Sequence, residues 1–585
     1  MKKNREIICG LTAWVLTACF FLSCLLIPGL SERISEHGNI NILVYGMTLV
    51  LFCILFLAGM AWSTSRQNNS LKLTESPVAK KTALVILLGS QLPFWIVCVM
   101  RETEQVGTVS MKYGWHTQPL AVMILLFLAE LAVFFWLYEN LSLTEKKGEW
   151  IIWLTYAALV ILIFYCMYTP NIYGRGEQGD NYHAHAYFNS VYNVYQGVPY
   201  THNVTSIYGH YGLFFKIPMK LVHGDFRAFV LMMAGFGALT YIGAFLVLQM
   251  LVRSRILRVI AAFALAFPVL GMRGGYYWQV WPHRVLFPVL LLLYGTVILK
   301  KKRSSLLTAA GGYLICLLAI LWNTETGLLL TVSWAGLYIS RLLSRKKWKI
   351  RELLFSIGAQ AAGMIFAFTG AYGIVNLYNL SKHSPMNSVR DFLIPLLSDG
   401  YMTDILHLDL PTYPSAYMAV ITLFLTGVAM GIAGWFGDKE EHRWETDLIF
   451  MLSVGALGCL VYYMNRPSYH NLDCISISAV LLAAYLAQHG LDFVKNNGWK
   501  NIARTTFYEV VRGGIGIICV ASVLAMGTGT ILQFSQNSKI KENFHNTAEF
   551  ENFAQQVAAV VPANTHGFGL NVAEVYSMLH WSTQC

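Results

Sequence analysis

Residues 175–212 read RGEQGDNYHAHAYFNSVYNVYQGVPYTHNVTSIYGHYG. They hold an acid, Asp180, four histidines and a run of tyrosines, and long apolar stretches precede and follow them. A loop this polar between apolar runs decides the fold class. The apolar runs must be spans, and the loop must stand at a membrane surface.

The rest of the chain agrees. Of its 585 residues, 56% are hydrophobic and 12% are charged, about half the charge of a soluble domain. Apolar runs recur near 7–29, 41–62, 82–100, 118–138, 150–168, 224–252, 257–271, 285–299, 305–322, 328–342, 352–378, 415–435, 447–464, 475–490 and 513–533. The expectation is an all-α polytopic membrane protein of about 15 transmembrane helices. The N-terminal run is too long for a signal-peptide core and has no clear small-x-small cleavage site, so it reads as the first span. With the N-terminus placed in the cytoplasm, the inside segments and adjoining span ends hold 28 of the 42 Lys and Arg. That is the positive-inside pattern. It accounts for the net charge of +11 without a nucleic acid partner. It also puts the chain in the plasma membrane with an extracytoplasmic C-terminus. The 11 cysteines are scattered and form no CxxC pair, so neither a zinc site nor a disulfide framework is indicated.

Three units are expected: a four-span module at 1–149, a core at 150–533 and a short extracytoplasmic tail at 534–585. Alternation places the loops 169–223, 272–284, 379–414 and 465–474 on the outer face. Nearly all the polar chemistry that is not a Lys/Arg anchor gathers there. Tyr187, Val191, Val194 and Tyr195 recur at helical spacing, which predicts an amphipathic helix in the interface plane. Gly197 and Pro199 then end it.

Several side chains in these loops carry chemistry. Asp180 could serve as a general base, or share a divalent metal with His183 or His185, because the D-x-x-H spacing puts both on one helical face. Two ligands do not make a metal site, so a metal is left open. In RGGYYWQVWPHR, Arg273 and Arg284 suit a phosphate and His283 sits among aromatics that can stack on sugar rings. Single arginines there also serve as interfacial anchors. Glu325, at the outer end of a span, could pair with an arginine, bind sugar hydroxyls or cap its helix. Arg466, His470 and Asn471 stand at the same face. Asp391, Asp399, Asp404 and Asp409 read as solvated acids.

An acid in a long outer loop, an amphipathic helix, then Gly197-Val198-Pro199-Tyr200, then Tyr208-Gly209-His210-Tyr211-Gly212 before the next span resembles the first outer loop of the GT-C superfamily. These are membrane glycosyltransferases that use polyprenyl-phosphate sugars, such as the protein O-mannosyltransferases and aminoarabinose transferases. The resemblance covers about 150–480, and the loop follows the fifth span rather than the first. It implies that Asp180 is the catalytic base. It implies a polyprenyl-phosphate sugar as donor and a glycan, lipid or protein as acceptor. Tyr200, Tyr208, His183, His185, Arg273, His283, Arg284, Glu325, Arg466 and His470 would then bind substrate at the lipid surface. The competing classes are an O-antigen-type polymerase or ligase, a lipid or glycan transporter, and an envelope scaffold without catalysis.

Overall fold

The computed structural model describes residues 2–26, 40–65, 75–106, 109–114, 119–140, 148–168, 181–201, 208–271, 278–302, 306–345, 348–396, 408–412, 414–436, 444–496, 498–534 and 547–561. In chain order the helices are α1 (Lys2–Leu26), α2 (Ile40–Ser65), α3 (Pro77–Met100), α4 (Leu120–Asn140), α5 (Glu149–Met167), α6 (Asn181–Gln196), α7 (Gly212–Leu221), α8 (Phe226–Leu251) and α9 (Arg255–Ala266). They continue with α10 (Leu286–Lys300), α11 (Leu306–Trp322), α12 (Thr324–Leu343), α13 (Ile350–Leu380), α14 (Val389–Leu393), α15 (Ala416–Phe436), α16 (Trp444–Cys459), α17 (Val461–Asn465), α18 (Ser476–Lys495), α19 (Phe507–Phe534) and α20 (Thr547–Val560). One antiparallel hairpin, β1 (Arg101–Val106) with β2 (Val109–Gly114), departs from the all-α expectation.

A helix stands at each of the fifteen expected spans. Among the described residues, twelve helices are long and apolar enough to cross a membrane. The protein is thus a multi-pass helical membrane protein. α10 and α11 are apolar but shorter, and α9 is continued by a π turn, Phe267–Gly271. Helix starts follow capping chemistry: Asp225 accepts from the Ala228 N–H at 2.9 Å, and Asn323 from Thr326 at 2.8 Å. The outward faces stay apolar, as at Leu306, Phe355 and Val78, which suits a lipid surrounding.

One end of the bundle is a layer of ion pairs. Arg253 meets Asp492 at 2.7 Å, Arg255 and Arg258 each meet Glu149 at 3.2 Å, and Arg341 meets Asp447 at 3.5 Å. The first four spans are not detached from the core. The Tyr45 hydroxyl donates to the Leu457 carbonyl at 2.6 Å, Trp14 Nε1 to Thr422 Oγ1 at 3.2 Å, and Thr528 to the mid-span Glu130. Such ties are worth more inside a bundle than on a wet surface, because the alternative is an orphaned polar group.

Candidate functional site

Described residues of the 169–223, 272–284 and 379–414 segments meet at the end of the bundle opposite the ion-pair layer. Residues 208–210 clip onto the junction of α11 and α12: the His210 N–H donates to the Leu321 carbonyl at 2.7 Å, and Thr324 N–H to Tyr208 at 2.9 Å. A Cβ on Gly209 would stand 2.7 Å from the Trp322 carbonyl oxygen, so only glycine allows this approach. The G-V-P-Y turn is fastened to α13. Tyr200 N–H donates to Asn379 Oδ1 at 2.9 Å, Asn379 Nδ2 donates back to the Tyr200 carbonyl at 2.6 Å, and the Tyr378 hydroxyl donates to Val198 at 2.8 Å. Gly197 takes φ +89°, where a side chain is strained.

α6 forms where the aromatic spacing predicted it. Its apolar face is turned into the protein rather than toward headgroups. Tyr187, Phe188, Val191 and Val194 are buried, and the Phe188 ring meets Phe226 at 4.8 Å and Phe229 at 5.4 Å. Aromatic partners on α8 draw this face inward, since they remove more apolar area than an interface would.

The 278–285 segment descends along α8. Trp278 packs on Phe229 with ring centroids 5.3 Å apart, and Trp281 stacks on Tyr241 at 5.6 Å. From Phe229 to Tyr241 a helix runs about 18 Å, so the segment dives well below the top of α8. α10 begins only at Leu286 and spans about 22 Å, short of the ~30 Å hydrocarbon core. The end of the bundle is therefore a bowl. α8 and α13 rise along its sides, and the starts of α10, α12 and α18 lie at its floor.

Arg284 stands on that floor, 3% exposed, with Nη2 3.0 Å from Glu325 Oε2. Its guanidinium lies 3.5 Å from the Tyr462 ring centroid and 4.7 Å from that of Tyr208. The Tyr462 hydroxyl donates to Gln279 Oε1 at 2.7 Å and fixes that ring. Burial works against the Arg284 charge, but Glu325 and the tyrosines outweigh it and raise its pKa. Two of its nitrogens, Nε and Nη1, are buried without a hydrogen-bond partner. An orphaned buried N–H is costly and unusual. Here the guanidinium keeps hydrogen-bonding capacity that no described residue meets.

Next to it, the His283 ring is boxed by Tyr187 and Tyr211, each 4.9 Å away, and by Trp322 at 5.7 Å. Trp322 Nε1 donates to the His283 carbonyl at 2.9 Å. Burial, aided by the Arg284 charge, pushes the His283 imidazole well below its usual range. His210 stacks on Phe392 at 4.7 Å, and burial pushes its pKa down to about 3. Burial thus favours the neutral form of both rings, which stand as aromatic walls. Below the floor, a narrow crevice with room for about one water runs between Leu291, Leu330, Ser333, Met451, Cys459 and Cys474.

Of the residues singled out from sequence, Tyr208, His283, Arg284 and Glu325 meet in this one cluster. Tyr200 borders it through a ring contact with His210 at 4.9 Å. Arg466 is half-buried at the end of α17. Its Nε lacks a partner, and its carbonyl accepts from Asn471 Nδ2 at 2.9 Å. His470 packs on Tyr469 at 3.7 Å. Asp180 and Arg273 lie outside the described residues, as do the side chains of His183 and His185 on the first turns of α6. The metal option at Asp180 and His183 therefore falls outside them too. No group of three metal-ligating side chains occurs among the described residues. Asp391 closes a capping box with Ser388. Sequence reading missed Gln279, Tyr462 and Trp322, which only folding brings together around Arg284 and His283.

No protein-family model matches the chain, and no curated protein does. Among solved structures, the chain is similar to ArnT from Cupriavidus metallidurans bound to undecaprenyl phosphate. The TM-score is 0.34 and the identity 11%, over 75% of this chain and 86% of that one.

Proposed function

We propose that this protein transfers a sugar from a polyprenyl-phosphate donor to a hydroxyl of an envelope glycan, lipid or protein at the outer face of the plasma membrane, with its N-terminus in the cytoplasm and C-terminus outside. The observation that carries the reading is Arg284, a buried guanidinium with two unpartnered nitrogens at the floor of a bowl sunk into the bilayer. A lipid-linked phosphate delivers an anion to that depth, and a guanidinium fork suits it. The leaving group is then a polyprenyl phosphate whose charge grows as the glycosidic bond breaks, and Arg284 stabilises it. Glu325 keeps Arg284 in place while the site is empty. Asp180 takes the proton from the acceptor hydroxyl as that oxygen attacks the anomeric carbon. Arg273 and Arg466 assist in holding the phosphate. α6 forms the wall of the site at the level of the headgroups.

The test is made in the native host. The gene is deleted and restored with wild type or Asp180→Asn at equal membrane levels, and surface glycans are compared by mass spectrometry. The reading expects a sugar lost on deletion, restored by wild type and not by Asp180→Asn. An unchanged glycan profile on deletion defeats it.

A further inference from the structure

The end of the bundle that holds the bowl also carries a cluster of lysines. α7 reads GLFFKIPMKL and shows three faces. Phe215 and Met219 are buried against the protein. Ile217 and Leu221, one turn apart, are 72% and 77% exposed. Lys216 and Lys220, also one turn apart, form a ridge between those two faces. Lys382, just past the end of α13, joins this ridge. The Lys216 amine lies over the Tyr378 ring, 4.8 Å from its centroid. The Tyr378 hydroxyl donates to Val198, and a Cβ on the neighbouring Gly197 would stand 2.7 Å from Lys382 Nζ. The amines of Lys216 and Lys382 thus flank one ring and the turn bonded to it.

Among the described residues, none of the three amines has an ion pair or a hydrogen bond. Burial, and then the charges of Lys382 and Lys220, hold the Lys216 amine below its usual range. Like charges gathered without a carboxylate repel, and an anion among them relieves the repulsion. The depth is that of lipid headgroups. α7 leads through residues 222–225 into α8, and Lys382 follows α13. Both of those helices are long and apolar enough to cross a membrane. Ile217 and Leu221 then meet acyl chains, and the lysine stems reach up to the phosphate layer. In the orientation proposed above this is the outer face, where the positive-inside rule gives lysines no topological role.

We propose that this cluster binds an anionic phospholipid of the surrounding bilayer. The headgroup phosphate sits among Lys216, Lys220 and Lys382, and an acyl chain lies along Ile217 and Leu221. A zwitterionic lipid fits worse, because its headgroup brings a cation that the ammonium groups repel. The bound phosphate ties α7 to the end of α13, where the G-V-P-Y turn is fastened. The site is separate from Arg284 and does not depend on the sugar-transfer reading.

The experiment places the full chain in nanodiscs of equal parts phosphatidylglycerol and phosphatidylcholine. A photoreactive benzophenone amino acid replaces Leu221, and mass spectrometry reads which lipid it captures on illumination. Phosphatidylglycerol is expected to be captured roughly fivefold or more over phosphatidylcholine, the scale set by one or more lysines near a bilayer surface. Lys216→Gln, Lys220→Gln and Lys382→Gln together should bring the two to parity. Arginine at the same positions should keep the preference, which separates charge from a failure to fold. Lys300→Gln, Lys301→Gln and Lys302→Gln, at the far end of α10, remove the same charge and should leave the preference unchanged. Parity without the lysine changes, a preference that survives the Gln changes at 216, 220 and 382, its loss with arginine there, or an equal fall in the α10 control overturns the assignment. So does loss of the preference on adding a trace of undecaprenyl phosphate, since the lysines would then belong to the donor site.

Discussion

The two ends of this bundle use arginine in opposite ways. At one end Arg253, Arg255, Arg258 and Arg341 each meet a carboxylate, and all remain in part open to solvent. At the other end Arg284 is enclosed, has one carboxylate and two aromatic rings, and keeps two nitrogens without a partner. The first arrangement anchors helices in a membrane and tolerates loss. The second is costly to maintain, and the lipid phosphate proposed above would complete it.

Substitution at Arg284 tests that contrast most strongly. Arg284→Ala is expected to lower transfer by roughly 100- to 1,000-fold, the scale of losing one preorganised stabiliser of a developing anion. Arg284→Lys should recover only part, since an ammonium lacks the planar fork. Single-turnover transfer from a lipid-linked sugar checks both. Should Arg284→Ala turn over normally, the two ends would be equivalent and the site misplaced.

The next effect belongs to Glu325. Glu325→Gln leaves Arg284 buried without its counter-charge. That should cost about 2 kcal/mol of stability, less than a fully buried pair because Glu325 is 26% exposed. A lower Tm in detergent is expected, largely recovered by added undecaprenyl phosphate, whose charge replaces the carboxylate. A smaller loss is expected from Tyr462→Phe. The ring stays over Arg284 while the hydroxyl bond to Gln279 goes, about 1 kcal/mol in thermal unfolding.

The sequence carried the helices well, because apolar runs and basic flanks are local properties. Every apolar run fell on helical structure, and twelve helices among the described residues are long and apolar enough to cross a membrane. The meeting of Tyr208, His283, Arg284 and Glu325 was half legible. Each was expected near an outer span end, but nothing local told that Arg284 rather than Arg466 would be enclosed. That depends on the short α10, whose length lets the 278–285 segment sink along α8. Tyr462 and Gln279 were illegible because they are far apart in sequence and matter only through one hydrogen bond. The face of α6 was misjudged for a similar reason. Helical spacing shows an apolar stripe but not whether lipid or protein covers it.

The smallest effect is expected at the other end. Arg253 is 71% exposed on its side chain and pairs with Asp492 at 2.7 Å. An exposed pair of this kind contributes about 0–1 kcal/mol. The Ser254 backbone N–H is held separately by Gln488 Oε1 at 2.8 Å, so the α8–α9 corner keeps its shape without the arginine. Arg253→Ala should therefore leave Tm nearly unchanged and surface glycans intact in the complemented host. Set beside Arg284→Ala, it separates the removal of a charge from the removal of a site. A glycan defect from Arg253→Ala with normal membrane levels would mean that the ion-pair layer takes part in the reaction, and the division between anchoring and binding ends would have to be redrawn.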